Sequence, residues 1–148
     1  MEEQKFRVWL MEDKQLLPVE MITYHRGYMD VQTESKEYFP KAKQPFVLMK
    51  YTGLMDDYDE EIFEGDIVKY SIADGFNYEI DGIAAVEYHN GGYTVDQFHI
   101  CELTEIEIIG NIYDNTELLG GNLNGHLWWS KCRLIWNLCW LSPRYYKM

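Results

Sequence analysis

Apolar and polar residues alternate with a period of two along much of the chain. In "KFRVWLMEDKQLL", Phe6, Val8 and Leu10 fall on one strand face and Arg7 and Trp9 on the other, and the polar triplet Glu12-Asp13-Lys14 marks a turn. "VEMITYHRGYMDVQT" predicts two further strands about a turn at Gly27. Residues 34–45 are charged, carry two prolines and read as a connecting loop, with room for a short helical turn. "FVLMKYTGL" (46–54) is nearly all apolar and predicts a central strand, and "DIVKYSI" (66–72) predicts another. "ADGFN" is a turn by composition. "GIAAVEYHNGGYTV" predicts a hairpin whose tip, Asn90-Gly91-Gly92, tolerates positive φ. "EIEIIGNIY" (105–113) is the last predicted strand, and "DNTELL" (114–119) a single helical turn capped by Asp114 or Asn115. Seven or eight short antiparallel strands with frequent turns predict a mainly β fold, a small barrel or compact β assembly. No strand–helix–strand period appears, which excludes a doubly wound fold.

After Leu119 the pattern changes. Trp128, Cys132, Ile135, Trp136, Cys139 and Trp140 recur at helical spacing, and Ser142-Pro143 closes the run. The sequence therefore predicts a β domain over 1–121 and an extension over 122–148 with an amphipathic helix at 127–141. About fourteen residues of helix are too few to cross a bilayer. The candidate contact residues of the extension are Trp128, Trp129, Cys132, Ile135, Trp136 and Trp140. Three readings stay open for it. It docks on its own body or on a neighbouring subunit, lies on a membrane surface, or is a weakly selected extension.

Charge sharpens this division. The 148 residues carry a formal charge of −12. All 25 acids lie at or before Glu117, against nine cations to Leu119, so the body carries −16 and the remainder +4. Such a body repels nucleic-acid phosphate unless its few cations cluster. The acidic N-terminus lacks the apolar core of an export signal, no stretch has the length of a membrane span, and three cysteines (Cys101, Cys132, Cys139) suit a reducing cytoplasm.

Candidate chemistry centres on "YTGLMDDYDEEIFEGDIVKY" (51–70), where seven carboxylates sit between two apolar runs. A calcium loop starting at Asp57 would place Ile62 where a glycine must bend the chain. A catalytic carboxylate pair needs two unlike environments facing a cleft, and the pattern offers none. The simplest reading is a solvated polar turn followed by a special backbone conformation at Gly65. His99 and Cys101 would share a face if on a strand, but His126, Cys132 and Cys139 match no spacing of paired zinc ligands. No serine lies in a nucleophile elbow and no phosphate loop appears. No catalytic residue, metal or cofactor is therefore assigned, and the chain is not read as an enzyme.

The same stretch resembles the signature of the YopX family of phage and prophage proteins, which runs close to Q-Y-T-G-L-x-D-x-x-G-x-E-I-Y-E-G-D-I-V. Tyr51-Thr52-Gly53-Leu54, Asp56, Glu61-Ile62 and Glu64-Gly65-Asp66-Ile67-Val68 match, Phe63 replaces a tyrosine, and Tyr58-Asp59 stand where Asn-Gly is frequent. The opening "KFRVWLMEDKQLL" and the close "IEIIGNIYDNTELL" resemble the family's two ends, so the likeness spans Lys5 to Leu119. It marks Tyr51, Gly53, Leu54, Gly65, Asp66, Gly110 and Asn111 as signature positions of structural weight. It implies a YopX-like, mostly β structure, a homo-oligomer, phage or prophage origin and the cytoplasm of a bacterial host, and no established reaction. On this reading the protein acts by protein–protein contact, with a host protein as possible partner. The alternatives are a nucleic-acid-associated β-barrel and an acidic inhibitor of a host DNA-binding protein.

Overall fold

A computed structural model describes residues 4–34, 38–40, 45–73, 75 and 79–120. Among them the chain is mainly β. It forms eleven strands: β1 (Phe6–Leu10), β2 (Gln15–His25), β3 (Tyr28–Thr33), β4 (Tyr38–Pro40), β5 (Phe46–Met55), β6 (Glu61–Phe63), β7 (Asp66–Ala73), β8 (Glu79–His89), β9 (Gly92–Val95), β10 (Phe98–His99) and β11 (Glu105–Asn111). Two 3-10 turns, Ile100–Glu102 and Thr116–Leu119, are the described helical segments. The proposed helix at 127–141 and every contact residue assigned to the extension lie outside the described residues.

The strands form two open antiparallel sheets. The first has the order β4-β3-β2-β1-β5-β6 and the second β10-β9-β8-β7-β11. This corrects the expected barrel: the chain leaves one sheet at β6 and enters the other at β7, and no ladder joins the two into a closed cylinder. Two strands are also longer than the turn spacing suggested, since β2 and β8 each run for 11 residues. Tyr38–Pro40, inside the expected loop, adds a short edge strand beside β3.

The period-two reading of β1 is met in detail. Val8 and Leu10 pack with Val31 and Phe46 on one face of the first sheet. Trp9 packs with Met49 and Phe63 on the other, where Tyr113 stacks on Trp9 at 6.3 Å between ring centroids. Both faces are thus apolar along β1 and β5, as the continuous run 46–54 requires. In the second sheet Val68, Tyr70 and Val86 form a core that Ile62 of β6 completes. Neighbours on β6 therefore serve different cores, with Ile62 facing the second sheet and Phe63 the first. That alternation makes three residues of β6 the bridge between the sheets.

Candidate functional site

The carboxylate-rich turn sits where the two sheets meet. Asp56, 7% exposed, closes the turn on itself: its Oδ1 accepts the amides of Tyr58 and Glu60, each at 2.9 Å, and its own N–H donates to the Glu60 carbonyl at 2.8 Å. Its Oδ2 reaches out to accept the Ile108 amide of β11 at 3.1 Å. Asp57 does the same one step along. Its N–H donates to the Ile106 carbonyl at 3.0 Å, and its Oδ2 accepts the Ile106 amide at 2.9 Å. β11 is the outer strand of its sheet, paired to β7 alone. Its outward-facing amides at Ile106 and Ile108 would otherwise find only water. The two aspartates supply the acceptors that a further strand would bring.

Burial alone would push the Asp56 carboxyl up, but the donors Ile108, Glu60 and Tyr58 together outweigh it and hold the group below the ordinary carboxylate range. The bend is completed at Asp59, which adopts φ +63° at the place where the family signature has glycine. Aspartate is one of the few residues with a side chain that visits that region readily.

Asp66 is the second anchor, and it is 1% exposed. Its Oδ2 accepts the Phe63 amide at 2.8 Å, and its Oδ1 accepts from the Arg7 guanidinium of β1. Arg7 lies with its Cζ 4.4 Å above the Phe63 ring, and burial lowers its pKa to about 10. The solvated turn expected from sequence is therefore corrected. Asp57, Asp59 and Glu60 are exposed, but Asp56 and Asp66 are buried and bind backbone.

The remaining signature positions complete the joint. Gly65 takes φ +91°, its N–H donates to the Val86 carbonyl at 2.8 Å, and its carbonyl accepts the Ile112 amide at 2.9 Å. A Cβ there would stand 3.2 Å from the Met49 methyl, so both backbone and space favour glycine. At Gly110 a Cβ would stand 2.5 Å from Asn115 Oδ1. Asn111 Oδ1 accepts the amides of Tyr113 and Asp114, each at 3.0 Å, and turns the chain after β11. Asn115 holds the cap position of the last 3-10 turn, but its side chain makes no capping bond and instead accepts from the Asn111 amide at 3.3 Å. Tyr51 leans on Phe63 at 5.4 Å. Thr52 staples the irregular end of β5 by donating to the Ile62 carbonyl at 2.8 Å. Gly53 follows at φ +85° in open space.

Besides its exposed acids, this turn presents apolar groups to solvent: Leu54, Met55 and Tyr58 are 40%, 52% and 70% exposed. Beside Tyr58 lies a shallow depression of about 220 Å³, lined by Asp57, Lys69, Ser71, Glu105 and Glu107 among others. That is smaller than the roughly 300 Å³ at which small-molecule pockets begin. Sequence reasoning missed this surface, although Tyr58 in a turn of acids was a signal for it. His99 ends β10, and the exposed Cys101 falls in the following 3-10 turn, so the two do not share a strand face. No group of three or more His, Cys, Asp or Glu side chains able to hold a metal occurs among the described residues. Nor is any helix among them long and apolar enough to cross a membrane.

The family model described as YopX protein matches residues 5–120. The chain belongs to the YopX family. Among solved structures, the crystal structure of protein EF1440 from Enterococcus faecalis is similar to it, with a TM-score of 0.57 and 26% identity over 79% of this chain and 98% of that one. No curated protein matches the chain. The YopX match ends at residue 120, one residue past the buried Leu119 and before the tryptophan-rich extension begins. The YopX signature thus coincides with the joint between the sheets, and each signature aspartate that is buried binds backbone amides.

Proposed function

We propose that this YopX protein is a phage- or prophage-encoded accessory protein that acts by binding a protein of its bacterial host, without catalysis. One observation carries the reading. The signature turn commits its buried carboxylates to backbone amides and leaves Leu54, Met55 and Tyr58 facing solvent. Exposed apolar and aromatic groups held on a rigid turn are the raw material of a protein contact. The −16 charge of the body favours a partner with a basic face and quickens encounter with it. The family resemblance supports the phage origin, the bacterial cytoplasm as the place of action, and self-association as a second mode of contact.

The test is a tagged pull-down from nuclease-treated bacterial lysate, comparing the full chain with a Leu54→Ser/Tyr58→Ala variant by mass spectrometry. A host protein retained after nuclease and lost in the variant supports the proposal. Capture that disappears with nuclease and falls steeply with salt would instead assign the chain to nucleic acid.

A further inference from the structure

Away from its core, the second sheet has a strip around Lys69 and Ile83 that the described residues leave open, although Ile67, Ser71 and Ala85 on the same face are buried. Val68, Tyr70, Ala84 and Val86 point into the core, so their neighbours Lys69, Ser71, Ile83 and Asp81 point the other way. The register aligns Lys69 with Ile83 and with Glu107, and Ser71 with Asp81 and with Glu105. Ile83 is 40% exposed there, and the depression beside Tyr58 opens on the same face. Asp57, Asp81, Glu105 and Glu107 give this strip four carboxylates against the single amine of Lys69.

The described chain ends close by. Asn111 pairs with Asp66 and Ile67 with Ala85, so β11 finishes at that end of the sheet, and the 3-10 turn carrying Leu119 packs against β8. Four steps of strand, from Ile67 to Ser71, separate that end from the depression, a span of about 13 Å. The nine residues from Leu119 to Trp128 can reach about 30 Å when extended. Residues 121–148 hold four of the five tryptophans and, among their charged side chains, only cations: Lys131, Arg133, Arg144 and Lys147.

We infer that the first occupant of this face is the chain's own extension, residues 121–148, with its tryptophans over Tyr58 and Ile83 and its cations against Asp57, Glu105 and Glu107. This rests on the reading of the Tyr58 surface as a contact surface and names what covers it in the free protein. A host partner with a basic face then competes with the tail, which makes the tail a tethered stand-in for that partner.

Carbodiimide cross-linking of the full chain tests this, because it joins a lysine amine to a carboxylate in contact with it, with loss of water. Mass spectrometry of the monomer band is expected to find Lys131 or Lys147 joined to Asp57, Glu105 or Glu107. Mixing light and isotope-labelled protein distinguishes links within one chain from links between two. Links only between chains, or none to these carboxylates, would overturn the inference. Tryptophan emission gives an independent reading on intact protein, since four of the five tryptophans report on the tail. Reversing two ion contacts in a Glu105→Lys/Glu107→Lys variant is expected to shift the docked-to-free ratio about fivefold, seen as greater acrylamide quenching. Unchanged quenching in a variant of native circular dichroism would count against it. Loss of host capture in the Leu54→Ser/Tyr58→Ala variant with no tail cross-links would leave the contact surface standing and remove only the tail.

Discussion

At Asp56, one carboxylate performs three backbone-binding tasks, and its protonation state is therefore tied to folding. Its carboxyl titrates below the ordinary aspartate value near 3.9, so the stabilisation it brings is complete above that pH and is lost as pH falls through the lower, folded value. Asp56→Asn keeps one acceptor oxygen and loses the other. It is expected to cost about 1–2 kcal/mol at pH 7. The gap from the natural protein should narrow below about pH 4 in urea melts, as the natural carboxyl protonates too. A gap that stays constant with pH would mean that the charge of Asp56 is immaterial. Neither this role nor that of Asp57 was legible in the sequence. The partners lie 52 and 49 residues away, and no local pattern announces a long-range bond. The resemblance marked Gly65, Asp66, Gly110 and Asn111 as structural, and each has a physical reason in the joint.

At the scale of elements, β1 and β7 are tied by Arg7 and Asp66. An arginine inside "FRVWL", on the face it shares with Trp9, was a readable sign that a buried acid waits elsewhere, but which of the seven carboxylates it meets was not readable. Removing one member leaves the other charge buried and unpaired, so Arg7→Met is expected to cost about 3–5 kcal/mol. The double variant Arg7→Met/Asp66→Asn should cost less than the sum of the single changes, with a coupling of about 1 kcal/mol or more in chemical denaturation. Strict additivity would show that the pair contributes no mutual stabilisation. The strands themselves were largely legible because period-two alternation is local. Their division into two sheets was not. The division depends on Ile62 and Phe63 entering different cores, and a three-residue strand carries too little pattern to reveal that.

For the molecule as a whole, alternation and turn chemistry settled the class, while the exposed Leu54, Met55 and Tyr58 emerged only when Asp56 and Asp66 were seen to face inward. The same acids govern how the protein behaves in bulk. Sheets with open edges invite other chains to pair with them. Here β11 is denied to such visitors by Asp56 and Asp57. Near the isoelectric point of about 4.6 copies lose the repulsion that keeps them apart, while Asp56, held below the ordinary carboxylate range, still guards the edge; that barrier weakens only as pH falls further and Asp56 protonates. Acid below the isoelectric point should therefore produce ordered, thioflavin-binding aggregates rather than loose precipitate, with Asp56→Asn/Asp57→Asn forming them at higher pH than the natural chain. Amorphous precipitation in both would mean the edge was never the point of entry. Two aspartates that look like surplus surface charge would then act as a solubility device, keeping a stack of these molecules from growing strand by strand.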